Sequence, residues 1–238
     1  MVFMLTSCIE THIKEENGNK IAIPIPDTNQ VLTNIKKYLK DTKRIVYVAN
    51  NPANFEENDL RTSCFFESFE LSGLNFDEKI VLDNRNIKDA KNILNGADLI
   101  ILSGGKILCQ LKFFKKIKLK KILKNHDGLC IGISAGTMNL GKIVANFPEE
   151  LADLKEKRFV KGLGFFDKII IPHFDGENKV YQIECNEIDV VRDYILPLSK
   201  GKSFIGLPNG SYVLVDGQNT TYFGDCYEIA DGNVTKKE

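Results

Sequence analysis

Short apolar runs rich in β-branched residues recur along this chain, and most are followed by a longer amphipathic stretch. The alternation constrains the fold more than any other feature. The runs are "VFMLTS" (Val2 to Ser7), "RIVYVAN" (Arg44 to Asn50), "EKIVLD" (Glu78 to Asp83), "DLIILSGG" (Asp98 to Gly105) and "GLCIGIS" (Gly128 to Ser134). Runs apolar on both faces belong to strands covered on both sides. Between them, Thr28 to Asp41, Asn58 to Gly73, Asn86 to Ala97 and Phe113 to His126 read as helices. In the first of these, Val31, Leu32, Ile35 and Leu39 share one face. Strand and helix in repeated alternation predict an α/β fold: a mostly parallel sheet between two helical layers, a three-layer α/β/α sandwich.

The pattern changes after Pro148. Lys168 to Phe174 reads as a strand and Gln182 to Ser199 as a helix. From Ser203 onward, short strands are separated by "NG", "DG" and "DG", which predict C-terminal β-hairpins. Glu15 to Thr28 is the loosest stretch and reads as a surface hairpin or loop. Nothing resembles a linker or repeat, so residues 1–238 read as one domain.

Charge excludes some partners. Lysine plus arginine and aspartate plus glutamate number 32 each, which gives no reason to expect nucleic acid or a membrane surface. The lysines of "FFKKIKLKKILKNH" read as the solvated face of one amphipathic surface helix. An exposed apolar helix face would allow a homodimer. Six cysteines (Cys8, Cys64, Cys109, Cys130, Cys185, Cys226) form no CxxC pair. They read as free thiols of a reducing cytoplasm rather than as metal ligands or disulfides. "MVFMLTSCIE" lacks the charged start of a signal peptide. No run reaches the roughly 20 apolar residues of a spanning helix.

The chemistry concentrates in "LCIGISAGTMNLG" (Leu129 to Gly141). Gly132 to Gly136 fits G-x-S-x-G between a strand and a helix that reads on through "AGTMNLGKIVA" (Ala135 to Ala145), the context of a nucleophile elbow. Ser134 would then stand at the sheet's carboxyl edge. On the motif alone it is either a nucleophile or one residue of a glycine-rich turn. A serine needs a base, and the chain has His12, His126 and His173. His12 lies in the loose N-terminal region, and His126 ends the lysine-rich helix. His173, in "IIIPHFDG", lies at a strand's carboxyl end, where open parallel sheets collect functional groups. An oxyanion hole needs preorganised amides. Ala135, just after the serine, supplies one candidate, and Gly105 of "LSGG" the other. The absence of GxGxxG argues against a dinucleotide site.

Taken together, "FMLTS", "LSGGKILCQL", "GISAGTMNL", "IIPHFDG" and "FIGLPNGSYVLVDG" resemble the dipeptidase E and cyanophycinase family of serine peptidases, in family order and over nearly the whole chain. The resemblance implies a class I glutamine amidotransferase-like (flavodoxin-like) fold and hydrolysis of small peptides. It implies Ser134 as nucleophile, His173 as general base, amides near Gly105 and Ala135 as oxyanion hole, and no cofactor or metal. It also implies an acidic residue just beyond the elbow helix, for which Glu149 is favoured over Glu150 and Asp153. Lys106 and Asn209 stand where many relatives carry asparagine ("GGN") and glutamate ("PEG"), and both are placed against the substrate. Where aspartyl-dipeptidase members carry an arginine after the histidine, this chain offers only Lys179, and lysine lacks arginine's bidentate grip. A catalytically silent binding or regulatory member of the same fold is the alternative. A third reading, an esterase or amidotransferase-like hydrolase on the same elbow, is the least favoured: amidotransferases need a cysteine nucleophile, and Cys130 lies four residues before Ser134 on the buried strand.

Overall fold

The computed structural model describes residues 1–16, 18–146, 157–175 and 189–237. The chain begins with β1 (Val2–Thr6) and a hairpin of β2 (His12–Lys14) and β3 (Lys20–Ala22). Then follow α1 (Val31–Tyr38), β4 (Arg44–Val48), α2 (Phe55–Leu71), β5 (Glu78–Leu82), α3 (Ala90–Asn95) and β6 (Leu99–Leu102). Next come α4 (Ile107–Lys116), α5 (Leu119–Leu123), β7 (Leu129–Ile133) and α6 (Ala135–Leu140). The remainder comprises β8 (Ile143–Ala145), β9 (Phe159–Lys161), β10 (Ile169–Pro172), a π-helical turn (Val191–Ile195) running into α7 (Leu196–Leu198), and β11 (Ser203–Leu207). The chain closes with β12 (Tyr212–Asp216), β13 (Asn219–Phe223), β14 (Cys226–Ala230) and β15 (Asn233–Lys237).

A seven-stranded sheet runs β13-β12-β1-β7-β6-β4-β5. The strands from β1 to β5 in that order are parallel, and the hairpin β12–β13 adds antiparallel to β1. The mostly parallel α/β architecture is the one the alternation predicts. Successive side chains of a strand point to opposite faces, and the core divides accordingly. Val46 and Val48, with Ile100 and Leu102, pack against α3, α4 and α5 through Leu94, Phe114 and Leu119. Ile45 and Tyr47, with Leu99 and Ile101, pack against α1 and α2 through Ile35, Phe65 and Phe69. A smaller sheet, β10-β11-β14-β15, holds the C-terminal hairpin. It joins α6 through Ile169, Ile171, Phe174, Phe204 and Met138.

Two helices differ from expectation. The lysine-rich stretch is broken at Lys118, whose φ of 54° places it in the left-handed region, so α4 and α5 pack as separate pieces. The elbow helix stops at Gly141 rather than continuing through Ala145, because Ile143–Ala145 pairs with Phe159–Lys161. The loose segment after β1 is the β2–β3 hairpin. Among the described residues no helix is long and apolar enough to cross a membrane.

Candidate active site

Ser134 follows β7 directly, with φ 50° and ψ −112°. A non-glycine residue is strained there, and such strain persists only where surrounding packing enforces it. The packing is visible residue by residue. A Cβ on Gly132 would lie 2.8 Å from the backbone of Thr137, and one on Gly136 would lie 2.2 Å from the carbonyl oxygen of Leu102. Both flanking positions therefore require glycine. The hydroxyl of Thr137 lies 2.7 Å from the carbonyl oxygens of both Thr6 and Gly132, and the amide of Ser134 donates to Thr6. These bonds tie α6 to the ends of β1 and β7. Ser134 makes no side-chain capping bond to α6, which leaves its hydroxyl for another partner.

That partner is His173. Its Nε2 lies 3.0 Å from Ser134 Oγ. His173 comes from the other sheet, one residue past β10, and its φ of 58° is also left-handed. The two strained residues thus face each other across the junction of the sheets. Buried Ser7, at the end of β1, staples that junction. Its hydroxyl donates to the carbonyl of Leu207 at 2.6 Å and accepts from the amide of His173 at 3.1 Å. Phe174 fills the space beneath, where a Cβ on Gly206 would meet its ring at 2.5 Å.

The Nδ1 face of His173 meets Asn209 Oδ1 at 2.7 Å. Asn209 is exposed, in the turn between β11 and β12. Sequence reasoning placed it against the substrate; the fold turns it toward the imidazole. Glu149, Glu150, Asp153 and Lys179 lie outside the described residues. With Oδ1 toward Nδ1, the tautomer that satisfies both contacts carries its proton on Nδ1 and leaves Nε2 to accept from the Ser134 hydroxyl.

The loop after β6 borders the serine. A Cβ on Gly104 would come within 3.2 Å of Ser134 Cβ. Gly105 adopts φ 135°, and a Cβ there would meet the Asn50 side chain at 2.5 Å. Asn50 brackets the next residue: Lys106 N–H donates to its Oδ1 and its Nδ2 donates to the Lys106 carbonyl, each at 3.0 Å. Lys106 is exposed at the start of α4. Beneath the loop, buried Gln110 donates to the Ser103 carbonyl. Buried Asn139 of α6 donates to Gln110 and to the Ile107 carbonyl, each at 3.0 Å. The elbow helix and the loop are thereby one hydrogen-bonded unit. The amides of Gly105 and Ala135 donate no hydrogen bond among the described residues. Sequence reasoning gave no role to Ser7, Gln110 and Asn139, although "FMLTS", "LSGGKILCQL" and "GISAGTMNL" contain them, nor to Asn50 at the end of "RIVYVAN".

The other histidines are elsewhere. His12 is in the β2–β3 hairpin. His126 is buried, its Nε2 has no partner among the described residues, and burial holds its pKa below the ordinary value. Cys130 is fully buried on β7, and burial pushes its thiol up, which suits packing and not attack. The five described cysteines are free thiols. No group of three or more His, Cys, Asp and Glu that could hold a metal occurs among the described residues.

A serine on an elbow at the carboxyl edge of a parallel sheet, hydrogen-bonded to a histidine, is an arrangement that recurs among serine hydrolases. The profile of peptidase family S51 matches residues 24–223, and the chain belongs to that family. A peptidase from an acI-B1 Actinobacterium has a similar structure, with a TM-score of 0.67 at 16% identity over 99% of this chain and 93% of that one. A putative peptidase E protein from Listeria monocytogenes EGD-e matches with a TM-score of 0.58 at 16% identity, over 93% and 96%. At that identity the likeness is one of fold. No curated protein sequence matches the chain. Family membership supports a peptidase.

Proposed function

We propose that this chain is a serine-type peptidase that hydrolyses small peptides, dipeptidase E-like, through an acyl-enzyme on Ser134. The observation that carries the reading is the 3.0 Å contact between Ser134 Oγ and His173 Nε2. In this mechanism His173 takes the hydroxyl proton as Ser134 Oγ attacks the scissile carbonyl. The amides of Ala135 and Gly105 receive the developing oxyanion. The imidazolium then protonates the leaving amine. Water, activated by the same His173, attacks the ester and releases the acid. Asn209 accepts from Nδ1–H and keeps Nε2 basic in the resting state. The reaction needs no cofactor, and the free thiols fit a reducing cytoplasm as its setting.

A fluorophosphonate probe tests the assignment: it labels the wild-type protein, and Ser134→Ala abolishes the label. Labelling that survives Ser134→Ala would sink the role of Ser134. Asn209 favours a second reading, a silent binding member of the family, because a neutral amide gives the imidazolium no counter-charge. That reading predicts no turnover across a dipeptide library together with a ligand-induced rise in Tm. Turnover above the Ser134→Ala background rules it out.

A further inference from the structure

A cavity of about 220 Å³ opens beside the Gly104–Gly105 loop. Its walls come from the end of β4 and the residues just after it, from α2, from the loop and from the start of α4, through Tyr47, Asn50, Glu57, Asn58, Arg61 and Cys109. Gly104 belongs both to this wall and to the packing of Ser134. A substrate whose carbonyl oxygen faces the Gly105 amide therefore has its neighbouring atoms close to the cavity. The volume is below the roughly 300–1,000 Å³ of a drug-sized ligand's pocket, so it suits the end of a peptide and not a continuing chain.

The lining decides which end. Both Glu57 oxygens are engaged: Oε1 accepts from Arg61 Nε at 2.9 Å and from Arg61 Nη2 at 2.6 Å, and Oε2 accepts from Asn54 Nδ2 at 2.8 Å. An ammonium group there would share this carboxylate with the Arg61 guanidinium, whose like charge repels it. Asn50 spends both ends of its amide on Lys106. Asn58 Nδ2 is committed to the Asn51 carbonyl and to Asp83. Arg61 is different. A guanidinium carries five N–H donors, and Glu57 engages only its Nε and Nη2 side. The outer edge of the fork, Nη1 and the second Nη2 hydrogen, has no partner among the described residues. Glu57 holds the guanidinium from behind and leaves its outer edge free. A planar fork offered end-on is the geometry that grips a carboxylate.

We infer that Arg61 receives the free α-carboxylate of a short peptide substrate, with Glu57 as its positioning residue. The inference rests on the peptidase reading but is tested by binding, without turnover. Calorimetry on Ser134→Ala compares alanyl-alanine with alanyl-alaninamide. The free acid binds about tenfold tighter, the worth of one charge-assisted hydrogen bond at a half-exposed site. Adding Arg61→Gln removes the difference, and Arg61→Lys restores only part of it. Equal binding of acid and amide by Ser134→Ala, or a difference that persists in Arg61→Gln, overturns the inference. A third ligand, alanyl-aspartic acid α-amide, separates a side-chain carboxylate from a terminal one. Arg61-dependent preference for it over alanyl-asparagine α-amide also overturns the assignment to the terminus. Absence of turnover in the wild-type protein would instead count against the mechanism on Ser134 and leave these binding comparisons intact.

Discussion

The two halves of the site are built differently. The serine half is buried and over-determined. Gly132 and Gly136 admit no Cβ, Thr137 bridges two strands, and Asn139 and Gln110 bind the elbow helix to the oxyanion loop. The histidine half is a span between two sheets. His173 is held by the Ser7 hydroxyl on its backbone and by exposed Asn209 on its ring. A hydrogen bond shared with solvent contributes about 0.5–1.5 kcal/mol at most. The surface around Ser134 is thus rigid by construction, while the His173 ring depends on a few replaceable contacts. Changes in the first half should cost stability and activity together, and changes in the second should move rate and pH profile with smaller loss of fold.

The largest effect should come from Gly136→Ala, whose methyl group meets the Leu102 carbonyl. Overpacking of this kind costs about 3 kcal/mol, which lowers Tm by roughly 6–12 °C in a chain of this size, and fluorophosphonate labelling falls with it. An unshifted Tm would mean that the elbow is less rigid than its packing implies. Ser7→Ala leaves the His173 amide without its acceptor in a buried place, at a cost of about 1–3 kcal/mol. Labelling should slow while the probe still reaches Ser134. A full loss of Tm without any change in labelling rate would break the link between Ser7 and the base.

Asn209→Asp probes the ring. The substitution keeps the shape and supplies a charge beside the imidazolium that forms during attack. We expect kcat/KM to rise about tenfold and the acid limb of its pH profile to move upward, because a neighbouring carboxylate favours the protonated ring. An unmoved profile would show that Asn209 does not govern His173. Asn50→Ala removes the bracket on Lys106, and the oxyanion loop loosens. We expect kcat to drop about five- to tenfold, less than the roughly 10²-fold cost of deleting an oxyanion donor itself, with Tm within about 1 °C of wild type. The smallest effect concerns His126, remote from both halves. Its folded pKa is lowered by burial, so the unfolded chain binds its proton more readily. Its contribution is complete above the ordinary value of 6.5 and is lost as pH falls below it. The Tm of His126→Gln should therefore decline less steeply than that of the wild type between about pH 7 and pH 5.

The same contrast explains what was legible beforehand. The elbow and the oxyanion loop are each a few consecutive residues whose glycines answer to local backbone demands, and "GISAG" and "LSGG" carry them openly. The sheet was legible for a similar reason, since buried parallel strands are near-continuous apolar runs. The partner of the His173 ring was not. Asn209 reaches it only because β10 and β11 pair in register, Pro172 opposite Leu207, and no spacing within the sequence encodes that. Ser7 is one more small residue until β1 and β11 end beside each other. Asn50 and Asn139 read as ordinary polar residues at element boundaries. The lysine-rich stretch kept its apolar period through Lys118, so periodicity could not reveal a break made by one left-handed residue.

The staple at Ser7 also sets an order in time. Its hydroxyl bonds Leu207, 200 residues further along the chain, and β1 lies between β7 and the late strand β12. During synthesis from the N-terminus, the elbow can be emplaced while the last strands are still in the ribosome. The residues that orient the base are then missing. The unfinished chain carries a serine but no supported histidine, so under the proposed mechanism hydrolytic competence arrives only when synthesis is nearly over. A long-range closure of this kind slows folding, and under the proposed mechanism it also leaves an incomplete chain inert.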